Sequence, residues 1–334
     1  MKKYRWGILG LGSIANRFMS GHTLVDRAEL YAVASRDGGK ARAFAQKYHA
    51  VKAYDSYEAM VSDPEVDIVY IATPHPFHLA HASLALKAGK HVLVEKPACV
   101  NERELAALCA LAQQKGLFLM EAMWTRFFPV NRQVIRWLTE GRIGRLGQVQ
   151  AAFAYASAVG DGKSRVYNPE LAGGALLDVG VYPIAYADMC YDAAPEAVAA
   201  LADKAVTGVD ALSNYLLRYP GGGMALLSSA VSCYQKDTAY LWGEKGSIEV
   251  PNFWHPSRAV LTVNGRHEVF ESPVVNEGFQ YEIEHVHSCL DQGLTQSPIM
   301  PHATSQRIMA VCDEIRRQID LVYPFEQEIH HEHY

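Results

Sequence analysis

Long apolar runs are missing from this sequence. No stretch of its 334 residues approaches the roughly 20 apolar residues of a helical membrane span. Runs of like charge are missing as well. Lys and Arg number 31 against 36 Asp and Glu, a net charge of −5 with the two signs interspersed. Neither nucleic acid nor an anionic membrane surface is therefore expected as a partner. Paired cysteines are a third absence. Cys99, Cys109, Cys190, Cys233, Cys289 and Cys312 form no Cys-x-x-Cys pair and sit among apolar neighbours. They read as reduced thiols, which argues against a zinc site or a disulfide framework and points to a cytoplasmic protein. There is no internal repeat and no low-complexity segment. Met1-Lys2-Lys3-Tyr4-Arg5-Trp6 enters a strand at once, before Gly7-Ile8-Leu9-Gly10, so no secretory leader is expected.

What is present suits a globular enzyme with a full core. Apolar residues make up 49% and charged residues 20%, over a length that fits two domains. Residues 1–121 alternate strand and helix signals, with strands expected at 4–9, 29–35, 67–72, 91–94 and 117–121. That alternation predicts a parallel sheet covered by helices on both faces, an α/β dinucleotide-binding domain of the Rossmann type. The texture then changes. From residue 146 strands dominate, separated by turn signals such as Pro220-Gly221-Gly222-Gly223 and Asn264-Gly265. Consecutive hairpins predict a large, mainly antiparallel sheet with one open face, in an α+β substrate-binding and dimerisation domain over 122–334. An open apolar face invites a second copy, so a homodimer through that sheet is expected.

Five constellations carry chemistry. Gly10-Leu11-Gly12-Ser13-Ile14-Ala15 follows the first strand and opens the first helix. Gly10 permits the tight turn, Gly12 lets the backbone approach a pyrophosphate, and Ala15 allows close helix–strand packing. Outside this βα context the same residues would be only a glycine-rich turn. The second strand ends Ala34-Ser35-Arg36, with Lys40 one helical turn on. Ser35, Arg36 and Lys40 suit the 2′-phosphate of NADP. Asp37 dissents: facing the ribose, it would favour NAD.

A further strand ends Ala72-Thr73-Pro74-His75, placing polar groups at the sheet's carboxyl edge, and His78 begins the next helix. His75 reads as a cofactor contact. His78 is balanced between such a contact and helix capping. The strand Lys90-His91-Val92-Leu93-Val94 ends in Glu95-Lys96-Pro97. Pro97 biases Lys96 towards an extended conformation, so the backbone aims the lysine at the crevice where open α/β sheets bind ligands. Finally, Asp178 and Tyr182 are four apart after Gly173-Gly174, a spacing that puts both on one helix face. Tyrosine is a poor base at its ordinary pKa near 10. A nearby ammonium favours the phenolate, and Lys96 could supply it. Taken singly, Asp178 reads equally as a cap or ion pair, and Tyr182 as a half-buried core aromatic.

Together these segments resemble the Gfo/Idh/MocA oxidoreductase family. The residues that carry the likeness are Gly10 to Ala15, Ala72-Thr73-Pro74 with His78, Ala88-Gly89-Lys90-His91-Val92 into Glu95-Lys96-Pro97, and Gly174 to Tyr182. It covers nearly the whole chain, and Glu95-Lys96-Pro97 is its most specific element. The stretch Glu121-Ala122-Met123-Trp124-Thr125-Arg126-Phe127-Phe128-Pro129 is similar to the domain crossover of the family's dimeric dihydrodiol dehydrogenase-like members. They also carry Tyr at the place of Tyr182, where many members carry His.

The resemblance implies an NADP-dependent oxidoreductase that moves hydride between nicotinamide and a secondary alcohol or carbonyl, on a vicinal diol or sugar-like substrate. It implies a cofactor held by Gly10, Leu11, Gly12, Ser13, Ile14, Ser35, Arg36, Lys40, Ala72, Thr73, Pro74, His75, His78, Glu95 and Lys96. Tyr182 would be the general acid or base, oriented by Asp178, with Lys96 beside the nicotinamide ribose and the substrate hydroxyl. Trp124 and Arg126 would border the substrate, with Phe127 a weaker candidate. Two alternatives stay open. One is a sugar or inositol dehydrogenase, or an aldose or anhydrosugar reductase, on the same scaffold. The other is a regulatory protein that binds NADP without turnover, against which Lys96, Asp178 and Tyr182 argue. The terminal His330-His331-Glu332-His333 reads as incidental, and no metal is expected.

Overall fold

The computed structural model describes residues 2–158 and 164–327; the terminal histidine cluster lies outside them. Packing divides the chain into two units, Met1–Phe127 with Val275–Gln306, and Phe128–Val274 with Arg307–Tyr334.

The first unit is built on six parallel strands: β1 (Tyr4–Leu9), β2 (Ala28–Ala34), β3 (Lys52–Tyr54), β4 (Ile68–Ile71), β5 (His91–Glu95) and β6 (Leu119–Ala122). Their order is β3-β2-β1-β4-β5-β6. Each pair is parallel. β4 is buried along its whole length, as expected of a parallel strand covered on both faces. The helices are α1 (Ser13–His22), α2 (Gly38–Tyr48), α3 (Tyr57–Val61), α4 (His78–Lys87) and α5 (Glu102–Lys115). Asn101 caps α5 by accepting from the Glu104 amide at 2.9 Å, which is half of the capping box that the sequence pattern suggests. The strand order reverses between β1 and β4, so their carboxyl ends flank the crevice where such sheets bind ligands.

Two features of this unit differ from the sequence expectation. β3 was not expected: it has three residues, too few to show a period of two. Segment 275–306 was expected with the second domain, and it falls with the first unit. Helical periodicity shows that a segment has an apolar face, and leaves open what covers that face.

The second unit opens with α6 (Pro129–Thr139) and β7 (Leu146–Ala154), then α7 (Val181–Tyr191), β8 (Ala197–Lys204), β9 (Asp210–Arg218), β10 (Met224–Ala230), β11 (Thr238–Gly243), β12 (Gly246–Pro251), β13 (Arg258–Val263) and β14 (Arg266–Glu271). The eight strands run β14-β13-β12-β11-β7-β10-β9-β8. Asn264 and Gly265 both have positive φ, 50° and 72°, and close the β13–β14 hairpin as an Asn-Gly turn should. The run of hairpins breaks once. β7 slots between β11 and β10, antiparallel to the first and parallel to the second. Turn chemistry follows β9, β11 and β13, and no comparable signal joins β10 to β11, which leaves room there for an earlier strand.

α8 (Gln280–Asp291) belongs to the first unit and carries His287 into its core. The Trp6 indole N–H donates to His287 Nε2 at 3.0 Å, so that nitrogen carries no proton. His22 meets the edge of the Trp6 ring at 6.1 Å. Burial pushes His22 down to about 3 and His287 to about 4. Both are neutral in the fold. Their contribution is fully present above the ordinary imidazole pKa of 6.5 and is lost as pH falls from there towards 4. His22→Phe removes one of these protonation sites. Its thermal midpoint should fall less than that of the parent protein between pH 7 and pH 5, measured by calorimetry; equal falls would contradict a neutral buried His22.

Candidate active site

Four strand ends of the first unit, those of β1, β2, β4 and β5, carry the residues expected to hold a cofactor. Gly10 follows β1 with φ of +93°, a conformation that glycine adopts without strain. A Cβ at Gly10 would lie 2.8 Å from the Ala72 carbonyl carbon and 2.8 Å from Thr73 Cγ2. Leu11 beside it is buried. Gly12 is the N-cap of α1 and offers no side-chain cap, and a Cβ there would meet nothing within 4 Å. Ser13 and Ile14 lie in the first turn of α1, whose amides lack intrahelical partners, and Gly12 leaves open space beside that N-terminus for a pyrophosphate. Ala15 is fully buried. A dinucleotide fits this cradle.

At the end of β2, Ser35 is buried and its Oγ accepts from the Asp37 amide at 3.2 Å. Asp37 is turned into the next helix. Its Oδ1 accepts from the Gly39 and Lys40 amides at 2.8 and 3.1 Å, as the N-cap of α2. Arg36 and Lys40 are exposed, and the Arg36 charge works against the burial that raises the Tyr57 phenol.

At the end of β4, Ala72, Thr73 and His75 are buried and Pro74 half-buried. His81 joins them through a 3.0 Å hydrogen bond between its Nδ1 and Thr73 Oγ1. His78 is fully buried, with Nε2 2.7 Å from the Thr73 carbonyl and Nδ1 2.8 Å from the Pro97 carbonyl. It thus braces the turn after β4 against the turn after β5. Burial pushes the ring down to about 4, while the two carbonyls pull it upwards.

At the end of β5 the Lys96–Pro97 peptide is cis. Glu95 is buried. It accepts from the Tyr70 hydroxyl on Oε1 and from the Lys96 amide on Oε2 at 3.2 Å. Burial raises its carboxyl above the ordinary range. Ala98 donates its amide to Glu121 Oε1 at 3.0 Å. Both sides of the lysine turn are therefore fixed, and Lys96 itself is half-buried.

Trp124, Arg126 and Phe127 lie on a short 3-10 turn, Trp124–Phe127, and all are buried. Trp124 stacks flat on Phe279, with ring centres 4.4 Å apart and planes 4° apart. The Arg17 guanidinium sits 5.8 Å from the Trp124 ring centre. Arg126 Nη1 donates to the Ile299 carbonyl at 3.4 Å, and Phe127 lies 4.9 Å from the His285 ring.

The second unit carries Asp178 and Tyr182, both 7% exposed. Asp178 lies in a π-helical turn, Leu176–Gly180, that runs into α7, where Tyr182 sits. Asp178 Oδ2 accepts from the Tyr155 hydroxyl at 2.6 Å, and its Oδ1 from Arg165 Nη2 at 2.7 Å. Burial and the carboxylate raise the Tyr155 phenol, which stays a donor. Phe153 and Trp254 stack 4.6 Å apart at 7°, with the Tyr182 ring 5.3 Å from Phe153 and 6.5 Å from Trp254. Trp254 is fixed by its indole N–H, which donates to Asp237 Oδ2 at 2.9 Å. Phe153, Tyr155, Arg165, Asp237 and Trp254 escape sequence reasoning. They come from one strand and three loops, and no spacing signal joins them. Among the described residues, no group of three or more His, Cys, Asp or Glu could hold a metal ion.

The N-terminal part of the chain, residues 4–123, matches the model of an oxidoreductase family with an NAD-binding Rossmann fold, and residues 131–249 match the Gfo/Idh/MocA C-terminal domain. The trans-1,2-dihydrobenzene-1,2-diol dehydrogenase of Mus musculus is 38% identical over 332 residues, covering 96% of this chain and 98% of that protein. The Homo sapiens enzyme of the same name is 36% identical, with 96% and 98% covered. KijD10, a 3-ketoreductase from Actinomadura kijaniata solved with NADP and TDP-benzene, superposes with a TM-score of 0.86 at 28% identity, covering 95% of this chain and 98% of that one. An aldose-aldose oxidoreductase from Caulobacter crescentus solved with glycerol gives 0.86 at 26%, with 96% and 98% covered.

Tyr155→Phe tests the Asp178 network. The ring stays and one hydrogen bond to a buried carboxylate goes, a loss of about 1 to 3 kcal/mol. The thermal midpoint should drop by several degrees, and an unchanged midpoint would contradict the bond.

Proposed function

The chain belongs to the Gfo/Idh/MocA oxidoreductase family, and we propose that it is an NADP-dependent dehydrogenase of vicinal diols or sugar-like secondary alcohols. The observation that carries the cofactor choice is the engagement of Asp37. Its carboxylate caps α2, whereas an NAD enzyme needs an acidic group for the ribose 2′-hydroxyl. Ser35, Arg36 and Lys40 are the groups at that place suited to a 2′-phosphate. KijD10, similar along the whole chain, was solved with NADP.

The substrate class rests on the surroundings of Tyr182. Phe153 and Trp254 offer flat apolar surface beside the phenol, and Tyr155 and Arg165 hold Asp178 in place. Such a mixture suits a ring with an apolar face and polar substituents at its edge. The dihydrodiol dehydrogenases similar to this chain are named for a substrate of that kind. When bound, NADP supplies the hydride chemistry. Tyr182 takes the hydroxyl proton in oxidation and returns it in reduction, the Lys96 ammonium favours the phenolate, and Asp178 orients the tyrosine.

A homodimer through the eight-stranded sheet belongs to the same reading. Ala199, Leu216, Leu226, Gln150 and Tyr240 lie side by side across β8, β9, β10, β7 and β11. Leu216, Leu226 and Trp242 are exposed there, and Leu201 is 81% exposed. A largely apolar row of this width is unusual on a free surface, and a two-fold pairing would cover it. The six free cysteines fit a reducing, cytoplasmic setting.

Lys96→Met tests the mechanism. NADPH binding should stay measurable while turnover falls about a hundredfold or more; full activity would overturn the role of Lys96. Arg36→Ala tests the cofactor choice. The Kd for NADP should rise about tenfold with that for NAD unchanged; equal effects on both would refute the 2′-phosphate role.

A further inference from the structure

The turn that carries Asp178 departs from α-helical geometry. π turns are rare and cluster at functional sites, and this one is fastened from below by a buried polar pad. Asp210, at the start of β9, has no exposed surface. Its Oδ2 accepts from the Leu176 amide at 2.8 Å, at the first residue of the π turn, and from Ser213 Oγ at 2.8 Å. Gly174 has φ of +113°, and a Cβ there would overlap Asp210 Oδ1. The chain before the turn can therefore come down onto the carboxylate only as glycine. The preceding carbonyl, of Gly173, is pinned by the Tyr323 hydroxyl at 2.8 Å. Gly180 closes the turn over the hydrogen-bonded Tyr215–Ser229 pair, and a Cβ there would lie 2.7 Å from Tyr215 Oη and 2.9 Å from Ser229 Oγ.

We propose that Asp210 is a positioning residue: by accepting the Leu176 amide it sets the start of the π turn, and through it the orientation of Asp178 and Tyr182. This rests on the reading of Tyr182 and Asp178 given above. The acceptor function does not depend on charge. Burial raises the Asp210 carboxyl to about 7, against the field of Arg316 and among the Tyr215 and Tyr323 phenols, and Oδ2 accepts from an amide in either protonation state. Asparagine offers the same acceptor, and alanine offers none.

Asp210→Ala and Asp210→Asn are compared by steady-state kinetics, NADPH binding and hydrogen exchange over residues 174–182. Asp210→Ala should lower kcat about tenfold or more, leave the Kd for NADPH within about twofold, and speed exchange in the turn. Asp210→Asn should restore both kcat and slow exchange. Parent-like kcat and exchange in Asp210→Ala, or an Asp210→Asn as impaired as the alanine variant, would overturn the proposal. If Asp210→Ala does not fold, Asp210→Ser replaces it, since its hydroxyl stands one bond short of the oxygen that takes the Leu176 amide. Faster exchange with kcat down about threefold then supports the role, and unchanged values overturn it. Tyr182→Phe is run alongside. If it keeps turnover while Asp210→Ala loses it, the reading of Tyr182 fails and the positioning role stands.

Discussion

The His78 imidazole, buried without contact to solvent, faces two backbone carbonyls at once. A neutral ring has a single N–H and can satisfy only one of them; a protonated ring satisfies both. Burial works against the charge and the carbonyls work for it. In either state the ring spans the gap between the turn after β4 and the turn after β5. Those turns carry Thr73 and Lys96. Without a group of this reach the turn after β4 would lose this tie to the turn after β5. Glu121 and Glu95 complete the hold by taking the amides of Ala98 and Lys96. The lysine turn is thus fixed by hydrogen bonds from its backbone to buried side chains.

The second unit uses the same device with different parts. There too a stretch of irregular backbone at the candidate site is held by buried polar side chains. Asp210 and Tyr323 fix the entry to the π turn, and glycines at 173, 174 and 180 let it sit close. Tyr155 and Arg165 then hold Asp178 from the other side. In both units irregular geometry at the candidate site is matched by buried hydrogen-bonding partners, as it must be where water cannot satisfy the backbone.

What could be read from the sequence was what local sterics dictate. Gly10 and Gly12 announce a turn that tolerates no side chain at one position and leaves open space at the other. Asn101 announces a helix start, and Asn264-Gly265 a hairpin. The parallel and mainly antiparallel sheets follow from strand spacing, and the family follows from Glu95-Lys96-Pro97 in its context. What could not be read depends on contacts between distant parts of the chain. The insertion of β7 between β10 and β11, and the return of 275–306 to the first unit, are decided by which apolar faces meet. Asp37 shows the limit at a single residue. From sequence it stands only as a residue that could face the ribose, and the fold shows its carboxylate on the amides of Gly39 and Lys40 instead. Tyr155, Arg165 and Trp254 gather around Asp178 and Tyr182 from separate segments and carry no motif of their own.

The reading proposed for this cradle is NADP-linked hydride transfer to or from a diol or sugar-like alcohol. A cofactor-reduction screen tests it most directly, with NADP and NAD each offered against vicinal diols, sugars and inositols. NADPH should form with at least one vicinal diol or sugar, and NAD should serve less well with the same substrate. Tight NADPH binding with no turnover across the whole panel would contradict it.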